Sequence, residues 1–139
     1  MSKEIILRCD YFQGSGIGHL KRTSILSSAL QKRGYRTLVL IDDDPPENTF
    51  NMGVVYKKLP LQSFNELDDA KFILNLANLR DVKIIIGDSY RITKKWVTKL
   101  KDNGLKVILL DLRLVGLYTY LFLNQDDEKV CIPLIFCPR

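Results

Sequence analysis

Apolar residues follow two rhythms along the chain. Short continuous runs, "EIILRC" (4–9), "RTLVLI" (36–41), "VKIIIGD" (82–88) and "LKVILLD" (105–111), are the pattern of strands covered on both faces. "VVYKKL" predicts a further, weaker strand. Between these runs the apolar spacing turns helical. "LKRTSILSSALQKRG" sets Leu26, Ala29 and Leu30, with Ile25 alongside, on one side, and Gly34 stops the helix after Lys32 and Arg33. "LDDAKFILNLANL" sets Leu67, Ala70, Ile73, Leu74 and Ala77 together, opened by a capping-box spacing from Ser63 to Glu66. "TKKWVTKLKDNG" buries Trp96, Val97 and Leu100, turns Lys94, Lys95, Lys99 and Lys101 to solvent, and ends at Gly104. The alternation predicts one α/β domain over residues 1–139, a Rossmann-like parallel sheet with helices on both faces. The closing "VCIPLIFCPR" is apolar and reads as a tail that needs a covering surface.

Composition narrows the setting. The net charge is +5, but the lysines are scattered over predicted solvent faces, so charge alone would carry a nucleic-acid role and none is expected. No run approaches the roughly 18 apolar residues of a membrane helix, and "MSKEIILRCD" has no signal-peptide profile, which makes a cytoplasmic protein the expectation. Cys9, Cys131 and Cys137 lack paired spacing and read as reduced thiols. With one histidine in the chain, neither a metal site nor a bound cofactor is expected.

Ligands of such folds gather at the carboxyl ends of the strands. There the sequence places a glycine loop, "DDD", "GDSY" and "LD". In "QGSGIGHLKR" the glycines allow a tight turn and close approach, and the helix that follows presents free N–H groups. His19 and Arg22 share one face of its first turn. A dinucleotide fingerprint needs G-x-G-x-x-G; Gly14, Gly16 and Gly18 miss it by one position, although Asp42 or Asp43 imitates the ribose-binding acid. The Walker pattern is absent, and a loop that only turns the chain is the plain alternative. The acidic loop 42–44 reads as solvated.

"LRCDYFQGSGIGHLKR" resembles the opening of the nucleotide-sugar hydrolases of pseudaminic acid synthesis and the related spore-coat polysaccharide proteins. Arg8, Asp10, Gly16, Gly18, His19 and Arg22 fall on that pattern, and "IIIGDSYRITKKW", "LLD" and "YLFLNQ" resemble its later segments. The resemblance implies the N-terminal lobe of a two-lobed glycosyltransferase-B architecture acting on a UDP-sugar: water attacks the anomeric carbon and UDP leaves, without a metal. It implies His19 as general base, Gly16 and Gly18 close to the sugar and phosphate, and Asp88 and Tyr90 lining the cleft. Arg8, Asp10 and Arg22 join them as substrate-binding positions, with a structural ion pair of Asp10 or Arg22 as the other reading. Leu112 departs from the pattern, where a second acidic residue is common. The uridine-holding second lobe is missing from the resemblance, so a partner lobe, or self-association through the tail, is expected to complete the site. The other function class is a non-catalytic binding domain, or a glycosyltransferase-like subunit that needs a partner.

Overall fold

The strand runs pair into one sheet in the computed structural model, which describes residues 3–45, 53–111, 118–122 and 129–133. Strands β1 (Glu4–Cys9), β2 (Arg36–Ile41), β3 (Tyr56–Lys58), β4 (Ile84–Asp88) and β5 (Lys106–Asp111) run parallel. Strands β6 (Tyr118–Phe122) and β7 (Lys129–Pro133) extend the sheet antiparallel, giving the order β3-β2-β1-β4-β5-β6-β7. The helices are α1 (Gly18–Lys32), α2 (Glu66–Arg80) and α3 (Lys94–Lys101). The order reverses at β1, between β2 and β4, which opens a crevice at the carboxyl ends of those strands. This is the Rossmann-like parallel sheet that the alternation predicts.

Strand alternation divides the core. Ile5, Leu7 and Cys9 face α1 with Leu20, Val39 and Ile41. Ile6, Leu38, Leu40, Ile85 and Val107 face α2 and α3 with Ala70, Ile73, Trp96 and Leu100. Gly87 is a packing glycine: a Cβ there would stand 2.9 Å from Leu109 Cδ2 and 3.3 Å from the Trp96 ring, so the indole occupies the space a side chain would need.

Two local expectations are corrected. The inner face of α1 is not the Leu26–Ala29–Leu30 side; Leu20, Thr23, Ser24 and Ser27 are buried, and Leu26 and Leu30 only partly so. Small hydroxyl side chains allow the helix close to the sheet, and the two serines find partners: Ser24 Oγ donates to the Leu20 carbonyl at 2.6 Å and meets Tyr56 Oη at 2.6 Å, and Ser27 meets Thr37. The capping box of α2 does not form. Asn65 caps it instead, accepting the N–H groups of Leu67 and Asp68, and Glu66 crosses to α3, where it accepts the Thr93 hydroxyl at 2.6 Å and the Trp96 N–H at 3.2 Å. Leu67 accordingly stays exposed, and Asp69 and Leu76 turn inward with Ala70, Ile73 and Ala77. Part of the apolar tail is strand β7, in register with β6; residues 134–139 and Leu112 lie outside the described residues.

Candidate functional site

The glycine loop leaves β1 at the crevice. Gly14 and Gly16 have φ of +89° and +76°, a backbone region that glycine enters without steric cost. Ser15 pins the turn by accepting the Phe12 N–H at 2.9 Å, and Gly16 and Gly18 stay exposed. The first turn of α1 carries neither a side-chain cap nor an acidic residue. Its second residue is His19.

His19 Nδ1 lies 2.7 Å from Asp88 Oδ1, at the end of β4. Arg22 donates from Nε to Asp88 Oδ2 at 3.2 Å and also places Nη2 3.0 Å from His19 Nδ1. The two contacts at Nδ1 demand opposite tautomers. A carboxylate only accepts, so 2.7 Å is a bond only if Nδ1 carries the proton; Arg22 then serves Asp88 and not the ring. In the neutral ring this leaves the lone pair on Nε2, and Nε2 has no hydrogen-bond partner among the described residues. The ring of Tyr90 meets the imidazole edge-on, centroids 4.7 Å apart, while 55% of the tyrosine is exposed. His19 itself is buried, 6% exposed; a carboxylate that orients an imidazole whose other nitrogen has no partner suits proton transfer.

A second cluster stands on the other side of the β1 end. Arg8 is buried, 1% exposed, on the α2 face; its Nε donates to Asp69 Oδ2 at 2.9 Å and its Nη2 to Asp42 Oδ1 at 2.9 Å. The other oxygen of Asp69 accepts the Trp96 indole N–H at 2.9 Å. Arg91, just after Tyr90, donates to Asp10 Oδ1 at 2.6 Å and to both oxygens of Asp42 at 2.9 Å. Its guanidinium lies between the rings of Phe12 and Phe64, 4.2 and 4.1 Å from their centroids. A cavity of about 200 Å³ adjoins this cluster, lined by Phe12, Asp42, Asp43, Gln62, Phe64 and Arg91 among others.

Charge states follow from these partners. Burial by itself would raise the Asp42 carboxyl, but the hydrogen bonds and charge of Arg8, then Arg91 and the Tyr11 N–H, outweigh it and hold it below the usual carboxylate range. Burial would likewise lower the Arg8 guanidinium, yet Asp69 and Asp42 keep it above its ordinary value. Burial pushes the Cys9 thiol up to about 12, which leaves it an unreactive core group.

The structure thus brings His19, Arg22, Asp88 and Tyr90 together. Asp10 adjoins them: its carboxylate accepts the Tyr90 N–H at 3.3 Å, and its own N–H donates to the Asp88 carbonyl at 3.2 Å. Asp10 and Arg22 do not pair with each other; Asp10 takes Arg91 and Arg22 takes Asp88. Arg8 is engaged inside the fold. Asp42, read as solvated, is instead 16% exposed and paired with Arg8 and Arg91, because the β2 end turns it back across β1. Engaged this way, it does not present itself as a ribose-binding acid. Sequence reasoning also missed Arg91, Asp69, Phe12 and Phe64. Alternation along β1 did hold one signal, since Arg8 must fall on the Ile6 face and so requires an anion from α2. Among the described residues, no three His, Cys, Asp or Glu side chains gather as metal ligands, and no helix is long and apolar enough to cross a membrane.

No protein-family model and no curated protein matches the chain. Among solved structures it is similar to a crystal structure of a glycosyltransferase from Rickettsia africae ESF-5, with a TM-score of 0.57 and 16% identity. The likeness covers 78% of this chain and 29% of that one, so the chain spans under a third of that glycosyltransferase. At this identity the likeness concerns the fold alone, the Rossmann-like sheet and its flanking helices.

Proposed function

We propose that the chain is the catalytic-base half of a nucleotide-sugar enzyme, a UDP-sugar hydrolase in polysaccharide or nonulosonate synthesis. The observation that carries this reading is His19 Nδ1 at 2.7 Å from Asp88, with Nε2 unpartnered, at the strand-end crevice. The glycosyltransferase-like fold and the resemblance of the loop motif support the substrate class. In the proposed step, Nε2 takes a proton from water as the water oxygen bonds to the anomeric carbon. The bond from that carbon to the β-phosphate oxygen breaks, and UDP leaves with the electron pair. Asp88 stabilises the imidazolium that forms, and Arg22 holds Asp88 in place. Gly16 and Gly18 admit the sugar and phosphate close to the backbone, and Tyr90 lines the approach. A second lobe, in a longer chain or a partner, would hold the uridine.

The test is hydrolysis in H₂¹⁸O of UDP-2,4-diacetamido-2,4,6-trideoxy-altropyranose, with the chain alone and with any lobe that completes it. The label should enter the sugar and not UDP, and His19→Gln should lower kcat at least about 100-fold, the contribution of a positioned base, while KM changes little. Label in UDP, turnover by His19→Gln at the parental rate, or no UDP release in any form would refute the reading.

A further inference from the structure

The turn after β4 carries the least supported member of the His19 site. Tyr90 is 55% exposed, and among the described residues its one ring contact is with the edge of the imidazole and its hydroxyl makes no hydrogen bond. What holds it there is backbone, and that backbone is held by Asp10. One buried carboxylate accepts the Tyr90 N–H through Oδ2 and the Arg91 guanidinium through Oδ1, at 3.3 and 2.6 Å. Arg91 in turn bridges to Asp42 at the end of β2 and lies between Phe12 of the glycine loop and Phe64 before α2. Ser89 Oγ accepts the Arg91 N–H at 3.0 Å and closes the turn. One planar cation therefore ties together the segments following β1, β2, β3 and β4. Lysine cannot reproduce this, because an ammonium offers neither a fork for two carboxylates nor a plane for two rings.

We propose that Arg91 is the positioning residue of the site: its clamp on Asp10 and Asp42 sets the 88–91 turn so that Tyr90 lies against His19. The assignment deepens the reading of His19 as a base, and its test does not depend on turnover. The chain has one histidine, so its imidazole signals in NMR are assigned without ambiguity. An edge-on aromatic ring 4.7 Å away shifts the imidazole carbon-bound protons, and Tyr90→Leu defines the size of that shift. Arg91→Ala should move these protons most of the way to their Tyr90→Leu positions, and Arg91→Lys should not restore them. The Nδ1-protonated ¹⁵N signature should persist in both, since Asp88 and Arg22 are untouched. Phe64→Leu, which removes one ring face, should give a smaller move in the same direction. Unmoved imidazole protons in a folded Arg91→Ala would overturn the proposal; should that variant not fold, unmoved protons in Phe64→Leu would do so. A wild-type chain that shows these shifts but never hydrolyses a UDP-sugar would remove the hydrolase reading and leave the positioning role standing.

Discussion

Two arginine–aspartate clusters flank the end of β1, and they differ in what they leave over. Around Arg8 nothing is left. Asp69 divides its oxygens between Arg8 and the Trp96 indole, and the guanidinium reaches Asp69, Asp42 and the Cys9 carbonyl. Around His19 the same chemistry stops one bond short: Asp88 engages Nδ1 and Arg22, and Nε2 has no hydrogen-bond partner among the described residues. Buried polar groups need complete satisfaction, whereas a site that handles protons needs one group with a free valence. The first cluster is satisfied within the fold, and the second leaves one ring nitrogen without a partner among the described residues.

If that contrast holds, breaking the satisfied cluster should affect stability most. Asp69→Ala leaves Arg8 Nε, on a side chain 1% exposed, without its acceptor and orphans the Trp96 indole N–H. It should cost about 3–5 kcal/mol, the range for removing one partner of a buried pair, read from urea unfolding. Gly87→Ala probes the packing beneath: Leu109 can shift but the buried Trp96 ring cannot, so about 1–3 kcal/mol should be lost to overpacking. Gly16→Ala forces a Cβ into positive φ in open space and should cost only about 1–2 kcal/mol, with binding of nucleotide-sugar affected more than folding.

The effect of acid should be gentler and should also fall on the Arg8 side. The folded-state pKa of Asp42 lies below its ordinary 3.8, so below that value the unfolded chain binds more protons than the folded one. The stabilisation is present above 3.8 and is lost as pH falls through the lower folded value. Melting temperature should therefore drop with acid in this window, and Asp42→Asn should flatten the slope. An unchanged slope would place the acid sensitivity elsewhere.

Much of this architecture was legible in the residues. Continuous apolar runs marked β1, β2, β4 and β5, the loop motif placed His19 in the first turn of α1, and the strand-end rule placed Asp88 at the same end of the sheet. What escaped depends on contacts distant in sequence. Ser24 and Ser27 look like a solvent face until Tyr56 and Thr37 supply partners. Glu66 matches a local cap but bonds to α3 across 27 and 30 positions. Asp42 sits in an acidic run that composition assigns to water, and only folding brings Arg8 and Arg91 against it, 34 and 49 positions away. Motifs and periods report on neighbours along the chain, whereas the ion network is decided by tertiary partners.

In the proposed function His19 takes a proton through an unpartnered Nε2 at a nucleotide-sugar site. Diethyl pyrocarbonate acylates unprotonated imidazole nitrogen, and the chain has one histidine to report. In the native chain at neutral pH, one histidine equivalent should be acylated, and saturating UDP-N-acetylglucosamine should slow the reaction at least severalfold. A histidine that reacts only after unfolding, or at the same rate with the nucleotide-sugar present, would contradict the account.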